Sequence, residues 1–280
     1  MKRKSFWLST GLLLLLAMLV VLPGPAPAEM YVEAYLGGVQ GANAPLDTRV
    51  SDNFSIDIVE QGTLGVGFTS GRIPGRLDPA IMGGLKLGTW FVREGFLGMD
   101  YPAWMRYFGF YLDFMMHRLN FRPQSGHTLT TVSLDGVSVT TPGSFTFRSE
   151  GVAPTLAFMF AARYGFFPDS EVPFGRLQPY VAVGPAIMFA SQQPTIIFTD
   201  LGVTADMESQ SSAVICLAVE AGLRWMALKN VSIDVSFKYR YAEPSFSYSF
   251  ISPLTSQRMT FTLDPTFHLF SGQVGAAYHF

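Results

Sequence analysis

Residues 231–241 alternate strictly between apolar and polar side chains, and this pattern constrains the fold more than any other feature of the chain. The apolar set is Val231, Ile233, Val235, Phe237, Tyr239 and Tyr241, and the polar set is Ser232, Asp234, Ser236, Lys238 and Arg240. A helix would scatter both sets around its circumference, whereas a β-strand places them on opposite faces. The segment therefore predicts a strand with one apolar face and one face that carries three charges.

Seven further segments predict strands of the same kind. They are residues 30–38, 82–91, 106–117, 152–164, 177–189, 213–227 and 267–280. Each is near or above the ~9–11 residues that a tilted strand needs to cross a bilayer. An all-β fold follows as the prediction, namely a transmembrane antiparallel up-and-down β-barrel of eight strands.

The first 28 residues carry the features of a secretory signal peptide. Lys2, Arg3 and Lys4 form a basic region, an apolar run follows, and Ala26-Pro27-Ala28 is a small-residue cleavage site. A transmembrane anchor is the alternative, because the apolar run is about as long as a short span. The cleavage site and the neighbouring prolines favour removal before Glu29. The predicted organisation is a signal peptide over residues 1–28 and a barrel domain over 29–280.

The composition agrees with a membrane barrel. Hydrophobic residues make up 49% of the chain and charged residues only 14%, against about a quarter charged in soluble domains. The remaining 252 residues contain no further apolar run of the ~20 residues that a membrane helix needs, so the apolar residues are spread at alternate positions. Removing Lys2, Arg3 and Lys4 from 19 basic residues leaves 16 against 21 acidic ones, a net charge of −5. That charge argues against a nucleic-acid partner, and a single cysteine, Cys216, excludes an intramolecular disulfide.

The connections between the predicted strands alternate in length. The first, third, fifth and seventh are long, whereas the sixth is only Leu228-Lys229-Asn230. Outer-membrane barrels have short periplasmic turns and long outer loops, so this alternation places both ends of the domain in the periplasm. Strand-like pieces at 128–132 and 137–139, around Asp135-Gly136, predict a hairpin that extends the barrel, and similar pieces lie at 196–198 and 259–262. Counting such pieces as spanning strands would give ten or twelve.

On these residues the chain resembles the small outer-membrane β-barrel family of the outer membrane protein A, X and W type. The carrying features are the signal with Ala26-Pro27-Ala28, the runs 177–184, 222–225 and 231–241, and the final Phe280. The resemblance covers essentially the whole domain and implies the bacterial outer membrane as its location. It also implies outer-membrane lipids and lipopolysaccharide as contacts. The strand at 267–280 resembles the signal that the barrel assembly machinery reads, with Tyr278 and Phe280 as its aromatic residues.

The alternation assigns nine charged residues to the inside of the barrel. They are Glu33, Lys86, Asp113, Arg163, Glu220, Arg224, Asp234, Lys238 and Arg240. They could form a charged pathway or binding site, or a mutually neutralising plug, and the plug is favoured because eight strands leave room only for their own side chains. If Ala227 pairs with Val231, Arg224 lies opposite Asp234 and Glu220 opposite Lys238.

No enzymatic motif is present. The sequence has no G-x-S-x-G and no H-E-x-x-H, and its four histidines lack metal-ligand spacing. His117, at the outer end of a strand, is the one candidate for lipid modification as in barrel enzymes, and Cys216 is an inward residue of small size. We expect a monomeric, non-enzymatic protein without a cofactor, whose outer loops serve adhesion, envelope integrity or ligand contact. A narrow pore or a lateral path for small hydrophobic compounds is the rival hypothesis, and lipid A modification is a remote one.

Overall fold

The computed structural model describes residues 29–47, 49–50, 54–58, 62–69, 72–92, 101–134, 137–198, 203–251 and 258–280. The predicted signal peptide lies outside these residues. The strands are β1 Glu29–Gly41, β2 Leu46–Asp47, β3 Arg49–Val50, β4 Phe54–Ile58, β5 Gly62–Thr69, β6 Arg72–Ile73, β7 Ala80–Trp90, β8 Phe108–His117, β9 Phe121–Leu134, β10 Val137–Val152, β11 Thr155–Arg163, β12 Leu177–Phe198, β13 Val203–Asp206, β14 Gln210–Leu228, β15 Val231–Ala242, β16 Phe246–Ile251, β17 Arg258–Leu263 and β18 Phe267–His279. A 3-10 helix, Ala103–Tyr107, precedes β8. None of the helical structure in the described ranges is long and apolar enough to cross a membrane.

Within the described residues, eight strands close into an antiparallel barrel. Their order around the barrel is β1, β7, β8, β11, β12, β14, β15 and β18, and β18 pairs back onto β1. The pairing is continuous, from Tyr31 opposite His279 to Gly41 opposite Leu269 at the closing seam. The predicted all-β barrel and its eight strands are therefore confirmed.

Several predicted strand bounds are wrong by a few residues. The third barrel strand begins at Phe108 and not at Arg106, because the 3-10 helix occupies the preceding residues. The fourth begins at Thr155, because Val152 is the last residue of β10. β12 and β14 are longer than predicted, because both continue beyond the barrel into further pairing.

The long connections build a β-sheet extension at one end of the barrel. The last part of β12 pairs with β10, β10 pairs with β9, β9 with β5, and β5 with β4. The hairpin predicted around Asp135-Gly136 is present as β9 and β10, although those two turn residues lie outside the described ranges. The piece at 196–198 is not a separate hairpin. It continues β12 and pairs with both β10 and β13.

The two faces of each barrel strand differ in the way that the alternation predicts. On β15, the outward side chains of Ile233, Val235 and Phe237 are 47%, 54% and 53% exposed. The alternate side chains of Asp234 and Lys238 are buried. The exterior of the barrel is thus apolar and the lumen holds the polar side chains. At the end with the long connections, which we call the long-connection end, the lumen becomes apolar and is filled by Met82, Met115, Met188, Phe121, Phe147 and Phe267.

Neighbouring strands come close together at Gly37 and at Gly84. A Cβ on Gly37 would come within 3.0 Å of the Gly272 backbone oxygen, and one on Gly84 would meet the Tyr35 ring equally closely. Gly38 faces outward and has open space at its Cβ position. Glycine is therefore required at position 84, where the inward-pointing Tyr35 crosses the neighbouring strand, and at position 37, where the β18 backbone comes close.

The opposite end of the barrel, which we call the short-turn end, is fastened by one arginine. Arg176 forms ion pairs with Asp169 and Glu171 in the β11–β12 turn, and its Nη1 donates to the Met226 carbonyl oxygen at 3.2 Å near the end of β14. The Val172 backbone amide and the Arg176 guanidinium hold the pKa of the Asp169 carboxyl below its usual value. Two adjacent turns are thereby tied together.

Candidate functional site: the charged lumen

All nine charged residues predicted to point inward lie inside the barrel. Their exposure is 4% or less, because each occupies an inward position of its strand. Glu33 comes from β1, Lys86 from β7 and Asp113 from β8. Arg163 comes from β11, and β14 and β15 supply the remaining five. Most of the nine meet in one layer midway along the lumen.

Glu220 is the centre of this layer. Its Oε1 lies 2.7 Å from Lys86 Nζ, 2.8 Å from the Tyr180 hydroxyl and 3.2 Å from Gln273 Nε2. Its Oε2 accepts a hydrogen bond from the Tyr111 hydroxyl at 2.9 Å and lies 3.4 Å from Lys238 Nζ. One carboxylate therefore faces two ammonium groups and three neutral donors.

A second carboxylate, Glu33, links Lys86 to Arg224. Its Oε1 lies 2.9 Å from Lys86 Nζ, and its Oε2 lies 2.8 Å from Arg224 Nη2. Arg224 Nε in turn lies 3.3 Å from Asp234 Oδ2. The chain of alternating charges runs from β14 across to β1 and β7, so it joins opposite walls of the barrel.

Asp113 and Lys238 complete the layer. The two form an ion pair, and Asp113 also accepts a hydrogen bond from the Tyr35 hydroxyl at 2.6 Å. Both side chains are fully buried. Each of the four carboxylates in the layer thus has a cation and at least one further contact, which is what a buried charge requires.

Four tyrosines belong to this site and were missed by the sequence-based prediction. Tyr31, Tyr35, Tyr111 and Tyr180 are buried among the charges. Lys86 Nζ lies 5.3 Å, 5.5 Å and 5.8 Å from the ring centres of Tyr35, Tyr111 and Tyr180, and Arg224 lies 4.3 Å from that of Tyr31. Their inward positions follow from the same alternation that marks the charged residues.

Arg163 is separate from the central layer. Near the short-turn end, it forms a bidentate pair with Glu29 at 2.7 and 2.5 Å and is stacked between the rings of Trp90 and Phe174. Glu29 was not among the predicted lumen residues, because it precedes the first predicted strand. His279 closes the same end, with Nε2 2.9 Å from Ser232 Oγ.

Arg240 is also separate, on the side of the long connections. It is fully buried, and its Nη1 donates to Thr155 Oγ1 at 3.4 Å. Its Nε and Nη2 have no hydrogen-bond partner among the described residues. The charge is therefore much less well compensated here than in the central layer.

The predicted register of the four paired charges is confirmed. Glu220 lies opposite Lys238, and Arg224 lies opposite Asp234. The predicted pairing of Ala227 with Val231 is wrong, since Leu228 pairs with Val231 and the register shifts between Met226 and Leu228. A bulge at Ala227 absorbs the extra residue and leaves the pairing of the charges unchanged.

The arrangement offers little that could perform chemistry. His117 is buried at the inner wall near the long connections, where its Nδ1 lies 2.8 Å from the Arg118 carbonyl oxygen. Cys216 points inward and is buried. Among the described residues no group of three or more His, Cys, Asp or Glu side chains could hold a metal ion. A cavity of about 510 Å³ lies on the outside of the barrel, against β1, β7, β15 and β18.

No family model matches this chain, and no curated protein was found to be similar to it. Several solved structures are similar. The outer membrane protein OprG of Pseudomonas aeruginosa is 15% identical, with 90% of this chain and 96% of that chain covered at a TM-score of 0.44. Neisserial surface protein A is 11% identical, with 90% and 97% covered at a TM-score of 0.35. The N-terminal β-barrel domain of Pseudomonas aeruginosa OprF is 12% identical, with 90% and 99% covered at a TM-score of 0.30. The barrel architecture of this protein rests on its own strand pairing.

Proposed function

We propose that this protein is an integral protein of the bacterial outer membrane whose barrel is a closed anchor and not a channel. The observation that carries the proposal is the lumen itself. Its central layer is a continuous network of buried, paired charges, and an eight-stranded barrel is just wide enough for such side chains to fill it. The function then lies in the extension at the end with the long connections.

The apolar exterior supports a membrane location. Outward positions along the barrel strands carry exposed Leu, Ile, Val and Phe side chains, such as Leu36, Val181, Val235 and Val274. A water-soluble protein rarely exposes a continuous apolar surface of this kind. A bilayer would cover it, because membrane barrels present an apolar band to lipid and polar side chains to the lumen.

The orientation follows from the two ends. At the short-turn end, exposed aromatic side chains include Tyr164, Trp225, Tyr278 and Phe280, and such rings favour the headgroup level of a membrane. This end would face the periplasm, and the extension would face the cell exterior. Tyr278 and Phe280, in edge-to-face contact at 5.2 Å, are the residues we assign to recognition by the barrel assembly machinery.

The remaining parts of the proposal concern processing and activity. Residues 1–28 would be a signal peptide removed after Ala28, and the mature protein would be a monomer in contact with lipopolysaccharide. No catalytic role is proposed, because within the described ranges neither the buried His117 nor the buried Cys216 has a nucleophile–base partner. We assign the extension to adhesion, envelope integrity or ligand contact at the cell surface.

An arginine placed on the outer face tests whether lipid covers the barrel. Val235→Arg lies midway along β15, and at the midplane an outward arginine destabilises a membrane barrel by about 2–4 kcal/mol. Val139→Arg is the matched control, because Val139 is 59% exposed on β10 of the extension, beyond the barrel. We expect Val235→Arg to impair refolding into vesicles and Val139→Arg to leave it unchanged, measured by the mobility shift between heated and unheated samples.

The same experiment can refute the proposal. If water and not lipid covers the barrel, an arginine at either position remains solvated. Equal tolerance of both substitutions, together with recovery of the protein from the soluble fraction of cells, would show that the barrel does not span a membrane.

A further inference from the structure

Four arginines form an exposed patch on the outer surface, just beyond the barrel at the long-connection end. They are Arg76, Arg118, Arg122 and Arg148, and we call them the arginine patch. Arg76 precedes β7, Arg118 follows β8, Arg122 lies at the start of β9, and Arg148 lies in β10. The patch takes no part in the lumen network.

Arg76 and Arg122 lie directly opposite each other. Leu77 and Phe121 form an isolated antiparallel bridge, and the Arg122 backbone amide donates to the Arg76 carbonyl oxygen at 3.0 Å. Side chains opposite each other on antiparallel strands have Cβ atoms about 4.5–5.5 Å apart, and like charges in such pairs are destabilising. The chain therefore places two positive charges side by side on neighbouring segments.

A bulge brings a third arginine to the same point. The β9–β10 register shifts between Phe147 opposite Gln124 and Ser149 opposite Phe121, so two residues of β9 face one residue of β10. That one residue is Arg148, which is exposed beside Arg122. Three arginines from three adjacent segments thus share one outward surface, and Arg118 joins them from the end of β8, opposite Val152.

Few acids offset this charge. Asp78 Oδ1 lies 2.9 Å from Arg122 Nε, in a pair that is about half exposed. Glu150 is exposed nearby on β10, and Asp206 is exposed on β13, on the other side of Thr195 from Arg148. Exposed pairs of this kind contribute little stability. The side chains of Arg76, Arg118 and Arg148 form no ion pair with any described residue, which leaves the patch positively charged and available to an anion.

The patch borders the apolar exterior of the barrel. Met116, 56% exposed, is two residues before Arg118, and Ile81, 83% exposed, is three residues after Asp78. At a rise of about 3.3 Å per residue, Arg118 lies roughly 7 Å beyond the last apolar side chain of its strand. Arg118 is thus at the height at which lipid headgroups meet the protein if the apolar exterior is in a bilayer, and Arg122, four residues later, lies roughly 13 Å farther along the strand.

We propose that the arginine patch binds the phosphate groups of a phosphorylated lipid in the outer leaflet, of the bis-phosphorylated lipid A type. The inference rests on the proposed membrane location. Arginine suits this ligand because its planar guanidinium donates two parallel hydrogen bonds to one phosphate. Two phosphates on one headgroup would relieve the repulsion among three or four closely placed guanidinium groups.

The test measures lipid binding to the folded protein in detergent micelles by native mass spectrometry. The probes are bis-phosphorylated lipid A and the same lipid after enzymatic removal of both phosphates. Arg76→Gln/Arg122→Gln/Arg148→Gln is the principal variant, and Arg122→Gln/Arg148→Gln serves if the triple variant folds poorly. Arg106→Gln is the matched control, because Arg106 is an exposed arginine at the opposite end of the barrel.

We expect the native protein and Arg106→Gln to retain the phosphorylated lipid equally well. The triple variant should lose it by at least tenfold, since each basic residue near a charged lipid surface adds a favourable contribution. Retention should also fall as salt is raised. Undiminished binding by the patch variants, or equal binding of the dephosphorylated lipid, would overturn the proposal.

Two further results separate this inference from its alternatives. If inorganic phosphate at millimolar concentration displaces the lipid completely, the patch recognises free phosphate and the lipid assignment fails. Failure of the Val235→Arg test would instead refute the membrane location. The binding measurement uses protein in micelles, and the heat-dependent mobility of that protein shows that it is folded. The binding result therefore does not depend on the result of the Val235→Arg test.

Discussion

Neutralising Glu220 should destabilise the barrel more than any other isosteric substitution in its lumen. Glu220→Gln keeps the size of the side chain and one accepting oxygen, so Lys86, Tyr180 and Gln273 can still donate to it. The new amide nitrogen cannot accept from Tyr111 or Lys238, whose donors lie 2.9 and 3.4 Å from the present Oε2. Lys86 would then have only Glu33 as a carboxylate partner, and Lys238 only Asp113.

The magnitude follows from the burial of these groups. Glu220, Lys86 and Lys238 have side chains no more than 1% exposed. Removing one partner of a buried ion pair costs about 3–5 kcal/mol, because the other charge stays desolvated without compensation. After Glu220→Gln, Lys86 and Lys238 would each lose one of their two carboxylate partners while remaining buried.

A double-mutant cycle isolates the electrostatic part of this loss. Lys86→Met alone removes a cation that Glu220 and Glu33 share, whereas Lys86→Met with Glu220→Gln removes both charges of one buried ion pair. In the double variant Arg224 still pairs with Glu33 and Asp234, and Lys238 still pairs with Asp113. We expect the double variant to be more stable than the sum of the two losses implies, by about 2–3 kcal/mol, near the top of the range for residues in contact.

The assay is reversible urea unfolding of the protein in lipid vesicles, followed by tryptophan fluorescence at neutral pH. Glu171→Gln is the control, because Glu171 is an exposed carboxylate of the β11–β12 turn and its loss should change the free energy of unfolding by no more than about 0.5 kcal/mol. The reasoning is refuted if Glu220→Gln costs no more than that control, or if the two losses simply add.

Three further substitutions test other parts of the structure. Gly84→Leu should abolish the heat-dependent mobility shift, because the new Cβ would overlap the Tyr35 ring. Gly38→Leu should leave the shift intact, because the new side chain would point into open space. The same outcome for both variants would contradict the assigned faces of the strands. Phe167 has a φ of 57°, a backbone conformation that costs a residue other than glycine about 1–2 kcal/mol. Phe167→Gly should therefore have a higher urea midpoint of unfolding than Phe167→Ala. A lower midpoint for Phe167→Gly would contradict backbone strain in that turn. Arg240→Met should cost at least 2 kcal/mol less in urea unfolding than Arg224→Met, because only Arg224 has close carboxylate partners; equal losses would show that Arg240 is as well compensated as Arg224.

The alternation of the sequence was sufficient to predict the barrel and nine of the charged residues that point inward. Side chains on the two faces of a barrel strand meet different surroundings. Neighbouring residues such as Asp234 and Val235 therefore differ in polarity. The local register was also predictable across the short β14–β15 turn, because Glu220 and Arg224 could be matched to charges of opposite sign on β15.

The contacts across the lumen could not be predicted from the sequence. The ion pairs of Lys86 with Glu220 and of Arg224 with Glu33 join strands that are not neighbours, and their distances depend on the tilt and stagger of all eight strands. The arginine patch could not be predicted from the sequence for a related reason. Arg76 and Arg122 meet through an isolated bridge, and Arg148 joins them only because of a bulge, which no local pattern indicates.

Single-channel recording in planar bilayers tests the central claim most directly. If the paired charges fill the lumen, the purified protein should insert and remain electrically silent, and Glu220→Ala or Arg224→Ala should be the variants that open a conductance. Steady conductance by the native protein, altered by Arg224→Ala or Glu220→Ala, would show that the lumen is a pathway for ions and would contradict the closed anchor.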